Sequence, residues 1–237
     1  MSVIWHDLEC GTYTEDVELW RELAREHDEP ILDVGAGTGR IALDLARRGH
    51  RVTAVDLDLT LLEELSRRAS GLALRTIRAD ARELDLDQRF GLCIVPMQTI
   101  QLLGGPAGRQ VFLAAALRHL VQGGVLAIAL SVELETFEVA AGARGPLPDI
   151  CELDGVVYSS LPTAVRADDQ GFVLERRREI VTATGNRSVH SDQIRLDRVS
   201  PEALEREGAE AGYTPLPRRE VPETRDYAGS TVVMLGA

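Results

Sequence analysis

Three alternating glycines form the part of the sequence best suited to hold a cofactor. Gly35, Gly37 and Gly39 follow an apolar run at 31–34, and a helical pattern begins at Arg40. Glycine lets the backbone bend sharply and approach a ligand closely, and the N–H groups at a helix start are free to donate hydrogen bonds. The spacing therefore predicts a cofactor-binding turn between a buried strand and a helix.

The register of these glycines separates two classes of cofactor site. Dinucleotide sites follow G-x-G-x-x-G or end in alanine, because the last small residue lets the helix pack closely on the strand. The sequence has Arg40 at that position and fits D/E-x-G-x-G-x-G from Asp33 to Gly39 instead. This pattern resembles motif I of the class I S-adenosylmethionine (SAM) dependent methyltransferases. An ordinary tight strand-to-helix turn is the simpler alternative.

Apolar runs alternate with helical patterns as far as residue 130, which predicts the sheet that positions this turn. Continuous apolar runs are typical of strands buried on both faces of a parallel sheet. We expect an α/β fold: a doubly wound, mostly parallel, seven-stranded Rossmann-like sheet with a C-terminal antiparallel edge hairpin. The predicted strands are 31–34, 51–56, 72–77, 90–96, 125–130, 215–221 and 231–235, and the helices between them are 40–48, 59–68 and 106–121, with a last helix after 200. Asp58 and Ser200 are the predicted N-caps of two of these helices.

The resemblance implies SAM-binding residues at the carboxyl ends of the strands. Asp56 ends the second strand, where a carboxylate can accept hydrogen bonds from both hydroxyls of a ribose. Leu57 would lie against the adenine, and Asp80 with Ala81 matches the motif that binds the adenine edge. The full predicted cofactor-binding set is Tyr13, Asp33, Gly35, Ala36, Gly37, Gly39, Asp56, Leu57, Asp80, Ala81, Pro96 and Met97.

We expect one methyltransferase domain over 1–237 with two additions. Residues 1–29 form a lead-in in which Thr12 or Thr14 caps a helix, and the segment 5–13 would cover the cofactor as a lid. Residues 132–199 break the strand and helix alternation, and turn residues separate its apolar runs, which predicts an antiparallel flap inserted after the fifth strand. Two interpretations of the flap stay open: a cover over the methyl acceptor, which the resemblance implies, or a dimer contact or plain surface hairpin.

The acceptor side of the site is less defined by the sequence. Residues 96–99 occupy the position that lines the donor and acceptor in the resembling enzymes, so Gln98 and Gln101 are the candidate substrate-binding residues. The Asn or Asp, two prolines and aromatic residue of DNA and protein amide methylators are missing there, which disfavours an amide acceptor. No catalytic residue is assigned. The candidate general bases are His190, Glu133 and Tyr13, followed by Glu135 and Tyr158.

Composition excludes several classes of function. The formal net charge of −12 disfavours a nucleic-acid partner, because such proteins normally present a basic face to phosphates. Cys10, Cys93 and Cys151 lie far apart without a C-x-x-C pair, so we expect no metal site and no disulfide framework. No apolar run suits a membrane span and no secretory signal is visible, which predicts a cytoplasmic protein.

These observations together predict an enzyme that uses SAM. We expect methyl transfer to nitrogen or oxygen of a small molecule by in-line displacement, a reaction in which holding the two reactants in line is the main task. An NAD-dependent oxidoreductase and a SAM-binding regulatory protein without catalysis are the alternatives. The expected partner is a small-molecule acceptor, and a homodimer is left open.

Overall fold

The protein consists of a central seven-stranded sheet and a smaller antiparallel sheet inserted after its fifth strand. The computed structural model describes residues 2–28, 30–140, 145–224 and 228–237. Within these ranges no helix has the length and apolar character that crossing a membrane requires.

The central sheet has the predicted doubly wound order. Its strands are β1 (Ile31–Val34), β2 (Val52–Asp56), β3 (Leu74–Arg78), β4 (Phe90–Val95), β5 (Leu120–Leu130), β11 (Thr214–Val221) and β12 (Ser230–Gly236). Their spatial order is β11-β12-β5-β4-β1-β2-β3. Strand β1 pairs in parallel with β2 and β4, whereas β12 runs antiparallel to both β5 and β11. The predicted C-terminal edge hairpin is therefore confirmed.

Helices cover both faces of this sheet. They are α1 (Ser2–Cys10), α2 (Val17–Glu26), α3 (Arg40–Arg47), α4 (Leu59–Arg68), α5 (Gly105–Arg118) and α6 (Pro201–Ala211). One core layer contains Trp20 and Leu45 from α2 and α3, and the other contains Phe112 and Leu204 from α5 and α6. Every residue of β1 and β4 is buried between these layers, as their continuous apolar runs predict.

Two predicted helix caps are confirmed and a third is wrong. Asp58 accepts a hydrogen bond from the Thr60 N–H at 2.8 Å, and the Ser200 hydroxyl accepts one from the Ala203 N–H at 3.2 Å. Helix α2 begins after Asp16 rather than at a threonine cap, and Asp16 makes no side-chain cap bond. Its carboxylate instead accepts hydrogen bonds from the Trp20 indole and the Arg40 guanidinium, which lie on α2 and α3.

The fifth strand starts earlier than the sequence predicts. Helix α5 ends at Arg118, and β5 already begins at Leu120, so that Gly123 and Gly124 lie inside the strand as an irregularity rather than before it. The carbonyl of His119 accepts a hydrogen bond from the Phe90 N–H at 2.8 Å. This bond joins the chain to β4 directly after the helix and explains the early start.

The inserted sheet is antiparallel, as predicted, and larger than expected. It comprises β6 (Phe137–Glu138), β7 (Asp149–Leu153), β8 (Val156–Asp168), β9 (Gly171–Val181) and β10 (Arg187–Asp197). The order is β10-β9-β8-β6, and β7 pairs with the other part of β8. The sequence predicts β8, β9 and β10 but not β6 and β7, because these two are short and a glycine- and proline-rich segment separates them.

Candidate active site

A cavity of about 470 Å³ lies at the carboxyl ends of the central strands. Its floor is the glycine turn after β1 together with the ends of β2 and β4, one wall is the face of β9 and β10, and α1 borders both. Open α/β sheets bind ligands at this edge. Of the predicted cofactor-binding residues, the ones that line the cavity are Asp33, Gly35, Ala36, Asp56, Leu57, Asp80, Ala81, Pro96 and Met97.

The glycine turn needs its glycines for two different reasons. Gly35, Gly37 and Gly39 all have positive φ angles, of 74°, 53° and 93°, which side chains with a Cβ rarely adopt. A Cβ on Gly37 would also lie 2.1 Å from Nε2 of His6, so α1 packs directly on the turn. Gly37 and Gly39 thus shape the turn without lining the cavity themselves.

Asp33 is a buried carboxylate with an unsatisfied oxygen. Its side chain is 1% exposed, and Oδ1 has no hydrogen-bond partner in the part of the chain that the structure describes. Burial raises the pKa of Asp33 to about 7, against the opposing attraction of the Arg40 guanidinium. A buried carboxylate of this kind is costly unless a cationic or hydrogen-donating group pairs with it.

Asp56 holds the glycine turn in place. Its Oδ2 accepts the Gly37 N–H at 2.8 Å and its Oδ1 accepts the Asp58 N–H at 2.9 Å. An ionised carboxylate has about four acceptor positions, so these two bonds leave capacity for ribose hydroxyls. That ribose contact stays a prediction.

The predicted adenine side of the cavity is formed by Asp80, Ala81 and Leu57. Hydrogen bonds from the Arg82 side chain and backbone lower the pKa of the Asp80 carboxyl below its ordinary value. Leu57 is 61% exposed and still lines the cavity. An exposed leucine beside a carboxylate provides an apolar surface and an acceptor, as a purine would need.

The end of β4 carries the one strained non-glycine residue that lines the cavity in the described structure. Met97 has a φ angle of +56°, which is uncommon outside glycine and concentrates at functional sites. The next residue, Gln98, also lines the cavity and donates a hydrogen bond from its amide to the Ser131 hydroxyl at 3.0 Å. The structure thus keeps Gln98 as a candidate for acceptor contact.

Gln101 lies outside the cavity and has a structural role. It is 1% exposed. Its amide nitrogen donates to the carbonyls of Ser131 at 3.2 Å and Asp197 at 3.1 Å, and its oxygen accepts the Ser131 N–H at 3.0 Å. The predicted role in substrate binding is therefore not supported, because the amide is fully used to connect β5 with the end of β10.

Tyr13 also lies outside the cavity lining. Its ring packs under the Arg40 guanidinium, 5.0 Å from ring centre to charge, and its carbonyl accepts a hydrogen bond from Arg40 at 2.9 Å. Burial raises the pKa of Tyr13 to about 12. A phenol that holds its proton so strongly is a poor general base at neutral pH.

None of the other candidate bases lines the cavity. His190, Glu133 and Glu135 are exposed, and Tyr158 packs edge-on against Trp5 with ring centres 5.7 Å apart. The predicted catalytic roles of His190 and Glu133 gain no support from this geometry. The cavity lining therefore includes no member of this set of candidate bases.

Several cavity residues were not predicted from the sequence. His6 of α1 lies on the glycine turn, with Nδ1 3.1 Å from the Thr38 hydroxyl, and burial lowers its pKa. Glu9 of α1 contacts Arg176 and Arg178 of β9. Further lining residues from the inserted sheet are Leu174, Asp192, Ile194 and Leu196. Only their alternation along β9 and β10 could have indicated that they share one face.

Comparisons with known proteins agree with this geometry. Residues 31–124 match the family model described as a methyltransferase domain. A cypemycin N-terminal methyltransferase from a Streptomyces species is 31% identical over 94 residues, which are 40% of this chain and 38% of that protein. The matched part thus spans well under half of this curated relative.

No group of three or more metal-ligating side chains occurs among the described residues.

Two solved structures resemble the whole chain. An amino pentose methyltransferase from Micromonospora echinaspora has a TM-score of 0.72 at 21% identity, covering 98% of this chain and 96% of that one. A sugar N-methyltransferase from a Streptoalloteichus species has a TM-score of 0.76 at 21% identity, covering 98% and 90%. These structures show that the chain has the fold of the class I SAM-dependent methyltransferases, and residues 31–124 resemble a methyltransferase domain.

Proposed function

We propose that the protein is a SAM-dependent methyltransferase that methylates a small molecule. The observation that carries this proposal is Asp33, a fully buried carboxylate with an unpaired oxygen at the floor of the cavity. SAM carries an ammonium group on its methionine part, and a cation is what such a carboxylate needs. NAD has no amine of this kind.

The other floor residues fit the remaining parts of SAM. Asp56 has acceptor capacity for the ribose hydroxyls, and Asp80, Ala81 and Leu57 offer polar and apolar contacts for the adenine. The bound cofactor would supply a methyl group on a positively charged sulfur, ready for in-line displacement. This chain's own task is then to hold the acceptor against that methyl group.

The walls of the cavity support placement as the source of catalysis. Helix α1 packs on the glycine turn, and β9 and β10 place Leu174, Ile194 and Leu196 on the opposite wall. Such walls exclude water and restrict the orientations that an acceptor can adopt. Positioning alone can supply several kcal/mol of a displacement barrier, and the acceptor would enter with its nucleophile already deprotonated.

A nitrogen acceptor is the finer proposal. Two of the similar solved structures are an amino pentose methyltransferase and a sugar N-methyltransferase, and the net charge of −12 favours a small acceptor over a nucleic acid. Oxygen remains the alternative atom. A cytoplasmic location and a homodimer stay predictions.

Two other functions are separated from this one by specific observations. An NAD-dependent oxidoreductase is disfavoured because Arg40 takes the place of the small packing residue, and its guanidinium pairs with Asp16 at 2.8 Å. A SAM-binding regulator would need the residues at the floor of the cavity that hold SAM. It would not need a second set of cavity residues, on β9 and β10, to hold a methyl acceptor. The lined wall of β9 and β10 therefore favours catalysis.

A turnover assay with a matched pair of variants tests the proposal. The protein is incubated with SAM and a panel of small amines and amino sugars, and formation of the demethylated product S-adenosylhomocysteine (SAH) is measured. We expect acceptor-dependent SAH formation. SAM binding without turnover on any acceptor would favour the regulator, and NAD binding without SAM binding would favour the oxidoreductase.

The matched variants are Asp56→Asn and Asp58→Asn. Asp56 lines the cavity, whereas Asp58 caps α4 without lining it. We expect Asp56→Asn to weaken SAH binding by about 10- to 100-fold, since charge-assisted hydrogen bonds are lost. The affinity of Asp58→Asn should stay within about threefold of the wild type.

A further inference from the structure

Two arginines on one face of β9 have very different numbers of partners. Arg178 donates to both oxygens of Glu9, at 2.8 and 2.7 Å, and to Asp192 at 2.8 Å, and its guanidinium lies 5.4 Å from the ring centre of Trp5. Arg176 makes one ion pair, from Nη1 to Glu9 at 3.1 Å, and no side-chain hydrogen bond among the described residues. Both side chains line the cavity.

The carboxylates near Arg176 are already engaged or lie outside the cavity. Glu9 is 8% exposed and accepts hydrogen bonds from Arg178 and the Ser160 hydroxyl. Asp192 stands directly opposite Arg176 in the β9–β10 register but pairs with Arg178. Asp149 interacts electrostatically with Arg176 and does not line the cavity. The charges of the two arginines and two carboxylates that line this part of the cavity therefore balance. Of the two guanidinium groups, Arg176 has more N–H donors without a hydrogen-bond partner among the described residues.

We propose that Arg176 binds an anionic group of the methyl acceptor, a carboxylate or a phosphate. This assignment rests on the proposed function, since it concerns the acceptor side of the same cavity. A guanidinium is always charged and has five N–H donors in a planar fork that matches such oxyanions. The side chain is 24% exposed, so an anion entering the cavity can reach its donors and form charge-assisted hydrogen bonds with them.

The position of Arg176 also sets the size of the acceptor. Leu174 lies two residues earlier on the same face of β9, and its cross-strand partner is Ile194. These apolar side chains form the part of the wall that continues towards Leu196 and the ends of the central strands. Two residues of strand span about 7 Å. The acceptor should therefore carry its anionic group roughly 7 Å along the strand from the apolar section of the wall.

Isothermal titration with simple anions tests this assignment without knowledge of the acceptor. Protein saturated with SAH is titrated with inorganic pyrophosphate and, separately, with malonate, using the wild type, Arg176→Gln and Arg177→Gln. Arg177 is the matched control, because it is exposed and does not line the cavity. SAH affinity, measured on all three proteins, reports whether each variant is folded.

We expect the wild type and Arg177→Gln to bind at least one of the anions with equal affinity, and Arg176→Gln to bind it at least tenfold more weakly. A preference for pyrophosphate identifies a phosphate group, and a preference for malonate identifies a carboxylate. Equal anion binding by all three proteins, or none, with SAH binding intact overturns the Arg176 subsite alone. Absence of SAH binding by the wild type overturns the proposed function instead.

Discussion

Replacing Asp33 with Asn should stabilise the free protein while weakening the binding of SAH. The carboxyl is fully buried and its pKa is raised from 3.8 to about 7, chiefly by desolvation. In the unfolded chain this group loses its proton near pH 4, whereas the native protein keeps it until about pH 7. The native state thus binds more protons in this window, so raising the pH from 4 to 7 lowers the stability of the fold.

The size of this effect follows from the pKa difference. About three pKa units correspond to about 4 kcal/mol of unfolding free energy at neutral pH. The buried amide of the variant would lack one hydrogen-bond partner, which offsets part of this stabilisation. A net stabilisation of about 2 to 4 kcal/mol is expected, which for a chain of this length raises the melting midpoint by roughly 5 to 15 °C. The pH-dependent difference in unfolding free energy between the wild type and the variant should vanish near pH 4.

The assay combines urea denaturation between pH 4 and 8 with calorimetric SAH titrations. If the ammonium of the ligand pairs with Asp33, binding at pH 6 should release close to one proton from the wild type and none from Asp33→Asn, as measured in buffers of different ionisation enthalpy. A variant that is less stable than the wild type at pH 7, with unchanged SAH affinity, would refute the reasoning about Asp33.

Three further substitutions test separate parts of the site. Gly37→Ala should weaken SAH binding at least tenfold, because its Cβ would lie 2.1 Å from the His6 ring and its φ is positive. Adding His6→Ala should recover part of the lost affinity. No recovery would mean that the φ angle alone is responsible. Gln101→Leu should cost about 2 to 4 kcal/mol of stability by urea denaturation, since it leaves buried backbone groups unpaired, while SAH affinity stays within about threefold; a selective loss of acceptor turnover would return Gln101 to the substrate site. His190→Asn should change turnover by less than about tenfold, because His190 is exposed and outside the cavity lining; a fall beyond a hundredfold with SAH affinity intact would identify His190 as the base.

Local sequence patterns were sufficient for the central sheet and the floor of the site. Buried parallel strands are continuous apolar runs, and a turn that needs positive φ angles needs glycine, so both signals lie within a few neighbouring residues. The same holds for Asp58, whose cap depends on N–H groups two and three residues away. Asp33 and Asp56 could be placed because strand ends in a parallel sheet share one edge.

Contacts between distant segments could not be predicted in this way. Glu9 and Arg178 are 169 residues apart, and nothing local to either indicates the other. The Asp16 carboxylate accepts hydrogen bonds from Arg40 and Trp20, and this arrangement depends on how α2 packs on α3. Gln101 was a candidate for substrate binding because it closely follows the 96–99 segment, whereas tertiary packing turns its amide to the backbone at the ends of β5 and β10.

Titration of the purified wild-type protein with SAH and with NAD tests the central claim most directly. We predict saturable SAH binding with a melting midpoint raised by roughly 5 to 10 °C at 100 times the dissociation constant, because about 2.7 kcal/mol of binding free energy is then coupled to the native state. NAD at the same concentration should cause no shift. A shift with NAD and none with SAH would contradict the account.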